Sequence, residues 1–190
     1  MAREPLIIIV SAPSGSGKTT LVDRLLERTE GIKRSVSCTT RPPREGEKDG
    51  EDYFFLSEEE FEKSIEEGRM LEWEKNFKHY YGTPKAQVEE AVRKGEDIIL
   101  SIDVKGAKAV KRLYPGSLSI FIMPPSMKEL RERLLNRKTE EEEQISMRLN
   151  QSEEEIKAAD EYDYLVVNDD LEKAVGELRQ IIETARERAT

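Results

Sequence analysis

Leu6-Ile-Ile-Ile-Val-Ser-Ala-Pro-Ser-Gly-Ser-Gly-Lys-Thr-Thr20 reads as a buried strand running straight into a phosphate-binding loop. Residues 6–10 are an uninterrupted, mostly β-branched apolar run, as expected of a parallel strand covered on both faces. Small residues and two glycines follow, letting the backbone curl so that successive N–H groups point at an anion. Lys18 then supplies a point charge for the outer phosphates, and the Thr19 hydroxyl is placed to ligate Mg²⁺. Leu21 and Leu25 predict a helix opening there, whose N-terminal dipole adds to the attraction. Ala12, Pro13, Ser14, Gly15, Ser16, Gly17, Lys18, Thr19 and Thr20 are therefore the expected cradle of a nucleoside triphosphate, with Thr19 as the protein's metal ligand. Ala12 stands where the general pattern has its first Gly, a mild departure because Ala tolerates most conformations with φ < 0. The competing reading is an accidental Gly/Ser-rich turn. The strand, both glycines, the lysine and the threonine all standing in register argue against it.

Working outward, 190 residues fit one domain, with room for a small inserted lobe. No run reaches the roughly 18 apolar residues of a membrane span. The apolar stretch from Leu6 is short and leads into the loop, so it does not read as a signal peptide. A single cysteine, Cys38, fits a reducing cytoplasm, and no motif around it marks a nucleophile. The net charge of −9 argues against a general nucleic-acid binder. Charged residues make up 37% of the chain, and Glu, Lys and Arg far outnumber Asn and Gln. That bias is found in heat-adapted proteins.

Further apolar runs at 97–102, 118–123 and 164–167 alternate with helical patterns, the signature of a parallel α/β sheet. Ser57/Glu60, Ser126/Glu129, Thr139/Glu142 and Ser152/Glu155 have the Ser/Thr-x-x-Glu form of a capping box and predict four helix starts. A last helix is expected from about 169–170, burying Leu171, Val175, Leu178 and Ile182. The Glu-rich runs read as helix first turns rather than metal sites. Met70, Met123, Met127 and Met147 read as core filler. Residues 35–94, punctuated by Pro42-Pro43 and Asp49-Gly50 and rich in aromatics, read as a mixed lobe inserted into the core.

Within that lobe, Ser35-Val-Ser-Cys-Thr-Thr-Arg-Pro-Pro-Arg44 holds two arginines in a stiff, extended segment. Their guanidinium forks suit a phosphate dianion, to which Tyr53 and Tyr81 can add hydroxyl donors. Alone this is a solvated basic loop; beside a triphosphate cradle it points to a second phosphorylated substrate. Asp103 follows the 97–102 strand, where α/β sheets place ligand-contacting residues. Arg133, Arg137 and Arg148 form a third basic cluster, which otherwise reads as ion pairing on helix surfaces. His79 is the lone histidine. It reads as a surface or packing residue of the lobe.

The set Ala12-Pro-Ser-Gly-Ser-Gly-Lys-Thr19, Ser37-Cys-Thr-Thr-Arg-Pro-Pro-Arg44, Gly50-Glu-Asp-Tyr53, Leu71-Glu-Trp73, Tyr80-Tyr-Gly-Thr83, Ile102-Asp-Val-Lys-Gly106 and Tyr162-Asp-Tyr-Leu-Val-Val-Asn-Asp-Asp170 resembles the guanylate kinase family, in the family's order over nearly the whole chain. The resemblance implies a P-loop α/β core (about 1–34, 95–125 and 160–190), a GMP-binding lobe (35–94) and a helical lid (about 126–159). It implies a cytoplasmic enzyme that moves the γ-phosphoryl group of MgATP to GMP or dGMP. Lys18, Arg44, Arg137 and Arg148 would be catalytic. Arg133, Arg137, Asn168 and Asp169 would join the loop on the ATP side. Ser37, Arg41, Arg44, Tyr53, Glu72, Tyr81, Thr83, Asp103 and Arg148 would bind GMP. Ser37, Glu72 and Thr83 would read guanine, whose N1–H and N2–H₂ donors suit a carboxylate as adenine's edge does not. The chain departs from the family at Ser101, commonly acidic, and at Lys138, commonly Gly. Two other readings stay open: a catalytically inactive interaction module, which typically loses the loop lysine, and a monophosphate kinase for another base. The sequence leaves the oligomeric state open.

Overall fold

The computed structural model describes residues 3–76, 78–135 and 142–189, without the side chains of 142–144. The expected capping pair at 139/142 and the positions Arg137 and Lys138 lie outside what it describes. The quoted stretch folds as read: β1 (Ile7–Ser11), all five residues buried, leads through a loop into α1 (Lys18–Arg28). β2 (Ile32–Arg34) follows, and then the lobe elements β3 (Cys38–Thr39), β4 (Phe54–Phe55), α2 (Glu58–Glu66), β5 (Met70–Asn76), β6 (His79–Pro84) and α3 (Lys85–Lys94). The chain continues through β7 (Asp97–Ser101), α4 (Val104–Leu113), β8 (Leu118–Met123), α5 (Met127–Leu135), α6 (Glu142–Lys157), β9 (Tyr164–Val167) and α7 (Leu171–Arg188).

A five-stranded parallel sheet in the order β2-β7-β1-β8-β9 forms the core. Because strand side chains alternate, β1 feeds two cores. Ile8 and Val10 join Leu21, Val22 and Leu25 of α1 and Val175, Leu178 and Ile182 of α7 on one face. Ile7 and Ile9 meet Val88 and Ala91 of α3 and Ala107 and Val110 of α4 on the other. Each fully buried aliphatic side chain contributes about 1.5–3 kcal/mol, so β1 is fixed from both sides and its C-terminal end is held in place for the loop.

A second, mixed sheet in the order β4-β3-β6-β5 builds the lobe. Its β5–β6 ladder is antiparallel and sets Glu72 opposite Thr83. α2 opens on a full capping box: Ser57 Oγ accepts from the Glu60 amide at 3.2 Å, and Glu60 accepts from the Ser57 amide at 2.8 Å. Cys38 is buried there, and burial pushes its thiol up to about 11.

The structure corrects three sequence expectations. Ser152 starts no helix: it lies inside α6, fully buried, and its hydroxyl donates back to the Arg148 carbonyl at 2.8 Å. Met147 is no core filler, being 50% exposed on α6. β2 was absent from the expected strands, because an edge strand of Ile32-Lys33-Arg34 carries one apolar residue in three. No helix among the described residues is long and apolar enough to cross a membrane.

Candidate active site

The loop after β1 turns through a Ser16 N–H to Pro13 carbonyl bond at 3.1 Å, and Gly17 precedes α1 with φ +83. Gly17 offers no side-chain cap, so the first amides of α1 remain available to an anion. The left-handed φ favours glycine, and so does the space: a Cβ there would lie 2.7 Å from Asn168 Nδ2. That amide donates to the Ser16 carbonyl at 2.7 Å from a buried position just after β9. The Asn168 carbonyl in turn accepts from Arg133 of α5 at 3.1 Å. Asn168 thus ties the loop, the end of the sheet and α5 together. Asp169 is exposed and turns instead to the start of α7, where the Asp170 amide and then Lys173 hold its carboxyl below the usual range.

Lys18 leads α1, and its Nζ donates to the Ile102 carbonyl at 2.8 Å. Burial pushes its ammonium down to about 8; Asp103, Glu155 and Glu72, in that order, pull the other way. Asp103 caps α4, accepting from the Gly106 amide at 2.8 Å, and its carbonyl faces Ser11 Oγ at 3.4 Å. Thr19 and Thr20 are exposed in the first turn of α1. Arg148 of α6 donates to Ser14 Oγ at 3.0 Å. Arg137 lies outside the described residues.

On the lobe, Arg41 lies over the rings of Tyr53 and Phe55, at 5.5 and 5.9 Å. Its guanidinium grips both carboxylate oxygens of Glu47, at 2.8 and 2.9 Å, and Glu47 also accepts from the Arg44 amide at 2.7 Å. One carboxylate therefore fixes the Arg41 guanidinium and the Arg44 backbone together, while the Arg44 residue stays exposed. Tyr53 and Tyr81 meet edge to face, centroids 6.3 Å apart, and Tyr53's hydroxyl is pushed up by burial and by Tyr81. Ser37 begins the same segment, its carbonyl accepting from the Phe54 amide at 2.9 Å. Deeper in, buried Thr83 donates its hydroxyl to Glu72 at 2.5 Å. Burial raises the Glu72 carboxyl to about 7 against that hydrogen bond. Glu72 approaches α4 so closely that a Cβ on Gly106 would meet its Oε2 at 2.6 Å.

The lobe and loop sites therefore share one electrostatic neighbourhood, with the fields of Glu72 and Asp103 both reaching Lys18. Sequence reasoning missed Glu47, whose faint signal is its place three residues after Arg44. No group of three or more His, Cys, Asp or Glu among the described residues forms a metal cage. A hydroxyl beside the phosphate cradle is what fits a Mg²⁺ ion carried in on a nucleotide, since that ion keeps most of its shell as water and phosphate oxygen.

A guanylate kinase family model matches residues 4–185. The chain belongs to the guanylate kinase family. Guanylate kinases of Caldanaerobacter subterraneus subsp. tengcongensis and Symbiobacterium thermophilum are 48% and 51% identical to it. The first alignment covers 95% of this chain and 87% of the relative, the second 93% and 84%. The crystal structure of guanylate kinase from Anaplasma phagocytophilum superposes with a TM-score of 0.83 at 35% identity, covering 98% of this chain and 88% of that one. A gluconokinase from Sinorhizobium meliloti shares the fold at 18% identity and a TM-score of 0.54. As a member of the guanylate kinase family, the chain has a P-loop kinase fold, and every motif quoted from the sequence falls within the matched span.

Proposed function

We propose that this chain transfers the γ-phosphoryl group of MgATP to GMP or dGMP, giving ADP and GDP or dGDP. The observation that carries the reading is the presence of two anion cradles, the loop of residues 12–20 with Lys18 and the Arg41/Arg44 segment, in a site where the charges of Asp103 and Glu72 reach Lys18. The attacking atom is an oxygen of the GMP phosphate, already ionised near pH 7, so no general base is required. His79 stays out of the chemistry. Positioning and charge neutralisation carry catalysis. Lys18 and the loop amides bind the outer ATP phosphates, Arg133 and Asn168 border the same loop, and Thr19 holds the Mg²⁺. That ion, when bound, neutralises charge on the β- and γ-phosphates. Arg41, Arg44, Tyr53 and Tyr81 hold the acceptor phosphate, with Glu47 orienting the arginines. Arg148 and Arg137 neutralise the transferring group, and closure of the lid over it keeps water from competing as acceptor.

Glu72, Thr83 and Ser37 read the base: an ionised Glu72 accepts from both guanine donors, and adenine would leave it unmatched. The preserved Lys18 and Arg148 favour an enzyme over an interaction module. An ADP-release assay with ATP against GMP, dGMP, AMP, CMP and UMP tests the reading; turnover confined to the guanine nucleotides is expected, and none with GMP would overturn it. Lys18→Ala and Arg148→Ala should each lower kcat by about 10²–10⁴-fold with the circular dichroism spectrum unchanged.

A further inference from the structure

The chain leaves the five-stranded sheet after β2 and reaches Ser37 in three steps, each held by a different neighbour. The Ser35 amide donates to the Ile99 carbonyl of β7 at 3.0 Å, and the Ser37 carbonyl accepts from the Phe54 amide of β4 at 2.9 Å. Val36, between them, has both backbone groups taken by one side chain. Gln87 Oε1 accepts from the Val36 amide at 2.8 Å, and Gln87 Nε2 donates to the Val36 carbonyl at 2.8 Å. A primary amide carries an acceptor and a donor side by side, so it satisfies this residue as a neighbouring strand would.

Gln87 is the third residue of α3, a place from which a glutamine commonly reaches back to the amide of its own N-cap. Here the N-cap is Pro84, which has no N–H to offer, and the Gln87 amide crosses instead to Val36. The helix that carries it is firmly seated. Val88 and Ala91 are buried in one core with Ile7, Ile9 and Ile98 of the five-stranded sheet. α3 also continues directly from β6, which carries Thr83, the partner of Glu72. Gln87 therefore joins the segment that runs out to Ser37 to the segment that returns from Thr83. We propose that Gln87 is a positioning residue for the acceptor base, its two-point hold on Val36 setting where the Ser37 side chain stands relative to the Glu72–Thr83 pair. The inference rests on the reading of Ser37, Glu72 and Thr83 as the guanine contacts. Gln87 acts through the backbone beside Ser37, so its loss should weaken GMP and spare both MgATP and the chemical step.

The test compares Gln87→Met, Ser37→Ala and the double variant with the parent enzyme, each assayed well below its thermal midpoint. The readouts are kcat, both KM values, and GMP and MgADP affinity by calorimetry. Methionine keeps the length of glutamine and neither hydrogen bond. Gln87→Met should raise the KM and Kd for GMP about tenfold, with kcat within about threefold and MgATP KM and MgADP affinity within about twofold. Hydrogen exchange at the Val36 amide should quicken in the same variant. In the Ser37→Ala background, Gln87→Met should add less than about twofold, because both changes act on one contact. Should Gln87→Met fail to fold, Gln87→Glu replaces it: it keeps an acceptor for the Val36 amide but no donor for the carbonyl, and should raise the GMP KM selectively too. An unchanged GMP KM overturns the proposal, even where the thermal midpoint falls, since that is the pattern of a purely structural bond. So does an equal rise of both KM values, or a full further loss in the Ser37→Ala background. Ser37→Ala with the parent's GMP KM sinks the base reading and this inference with it. A parent inactive with GMP sinks the kinase reading as well; an active parent that needs Ser37 but is indifferent to Gln87 sinks the inference alone.

Discussion

The desolvation of the half-buried Glu72 and the base-reading role proposed for it pull on its proton in opposite directions. Burial raises its carboxyl to about 7, so between its unfolded value and pH 7 the folded chain holds a proton that the unfolded chain has released. The stability tied to that proton is complete below the unfolded value and is lost as pH rises through 7. At pH 8 the free enzyme therefore carries an unfavourable buried charge, which guanine's two donors would compensate. Glu72→Gln should raise the thermal midpoint of the nucleotide-free enzyme at pH 8 and leave it unchanged at pH 5. The same variant should weaken GMP about 10–100-fold at pH 8, because an amide cannot accept from both guanine donors. Calorimetry from pH 6 to 8 separates this group from the titrating GMP phosphate. Parent affinity should climb more steeply with pH than the variant's; parallel curves would mean that guanine is read elsewhere.

At the scale of elements, identical sequence patterns meet different fates. Ser57 and Ser152 both precede a Glu at the fourth position, yet the first caps α2 and the second back-bonds inside α6. The difference is in what comes before. A break at Gly50 and a short strand isolate Ser57, whereas Ser152 follows Ile145 and Leu149, which already pack with Leu130 and Leu134 and commit the chain to helix. Ser57→Ala should cost about 1 kcal/mol in denaturant unfolding. Ser152→Ala, which removes a hydroxyl that competes with the backbone, should cost less than about 0.5 kcal/mol; equal losses would contradict the assigned roles. β1, β7 and β8 were legible because burial on both faces leaves continuous apolar runs, and the edge strand β9 because it keeps an apolar run although half of it is exposed. β2, the other edge, was not, since Ile32-Lys33-Arg34 holds one apolar residue in three. The loop was legible from local spacing alone, and the Glu72–Thr83 pair through family resemblance. Glu47 was not, because its meaning lies in a partner brought up by the fold, the Arg41 guanidinium six residues away.

Over the whole molecule, charge-rich composition and the core meet at Asp97. Its fully buried carboxylate accepts from the Leu6 amide at 2.7 Å and pairs with Arg3 at 2.8 Å and with Arg186 of α7 at 2.8 Å. Arg186 also reaches the Glu30 carbonyl at 3.0 Å. One acid thus joins the start of β1, the start of β7, the α1–β2 turn and the last helix. Burial alone would raise its carboxyl, but Arg3, the Leu6 amide and Arg186 together hold it below the ordinary value. A depressed acid gives stability that is complete above its unfolded value and is lost as pH falls through the folded one. Most other ion pairs here are exposed on both partners, as in Arg24–Glu27 and Lys48–Glu51, and each is worth about 0–1 kcal/mol. Thermal stability should therefore depend on this clamp more than on the number of surface pairs. Asp97→Asn should destabilise the protein by about 2–4 kcal/mol at pH 7, since it strands two guanidinium groups. The gap to the parent should shrink below pH 4, as the parent's own carboxyl takes up a proton. Doubling the salt should move the parent's thermal midpoint far less than the substitution does; a midpoint that tracks salt and ignores Asp97 would place the stability in the surface network instead.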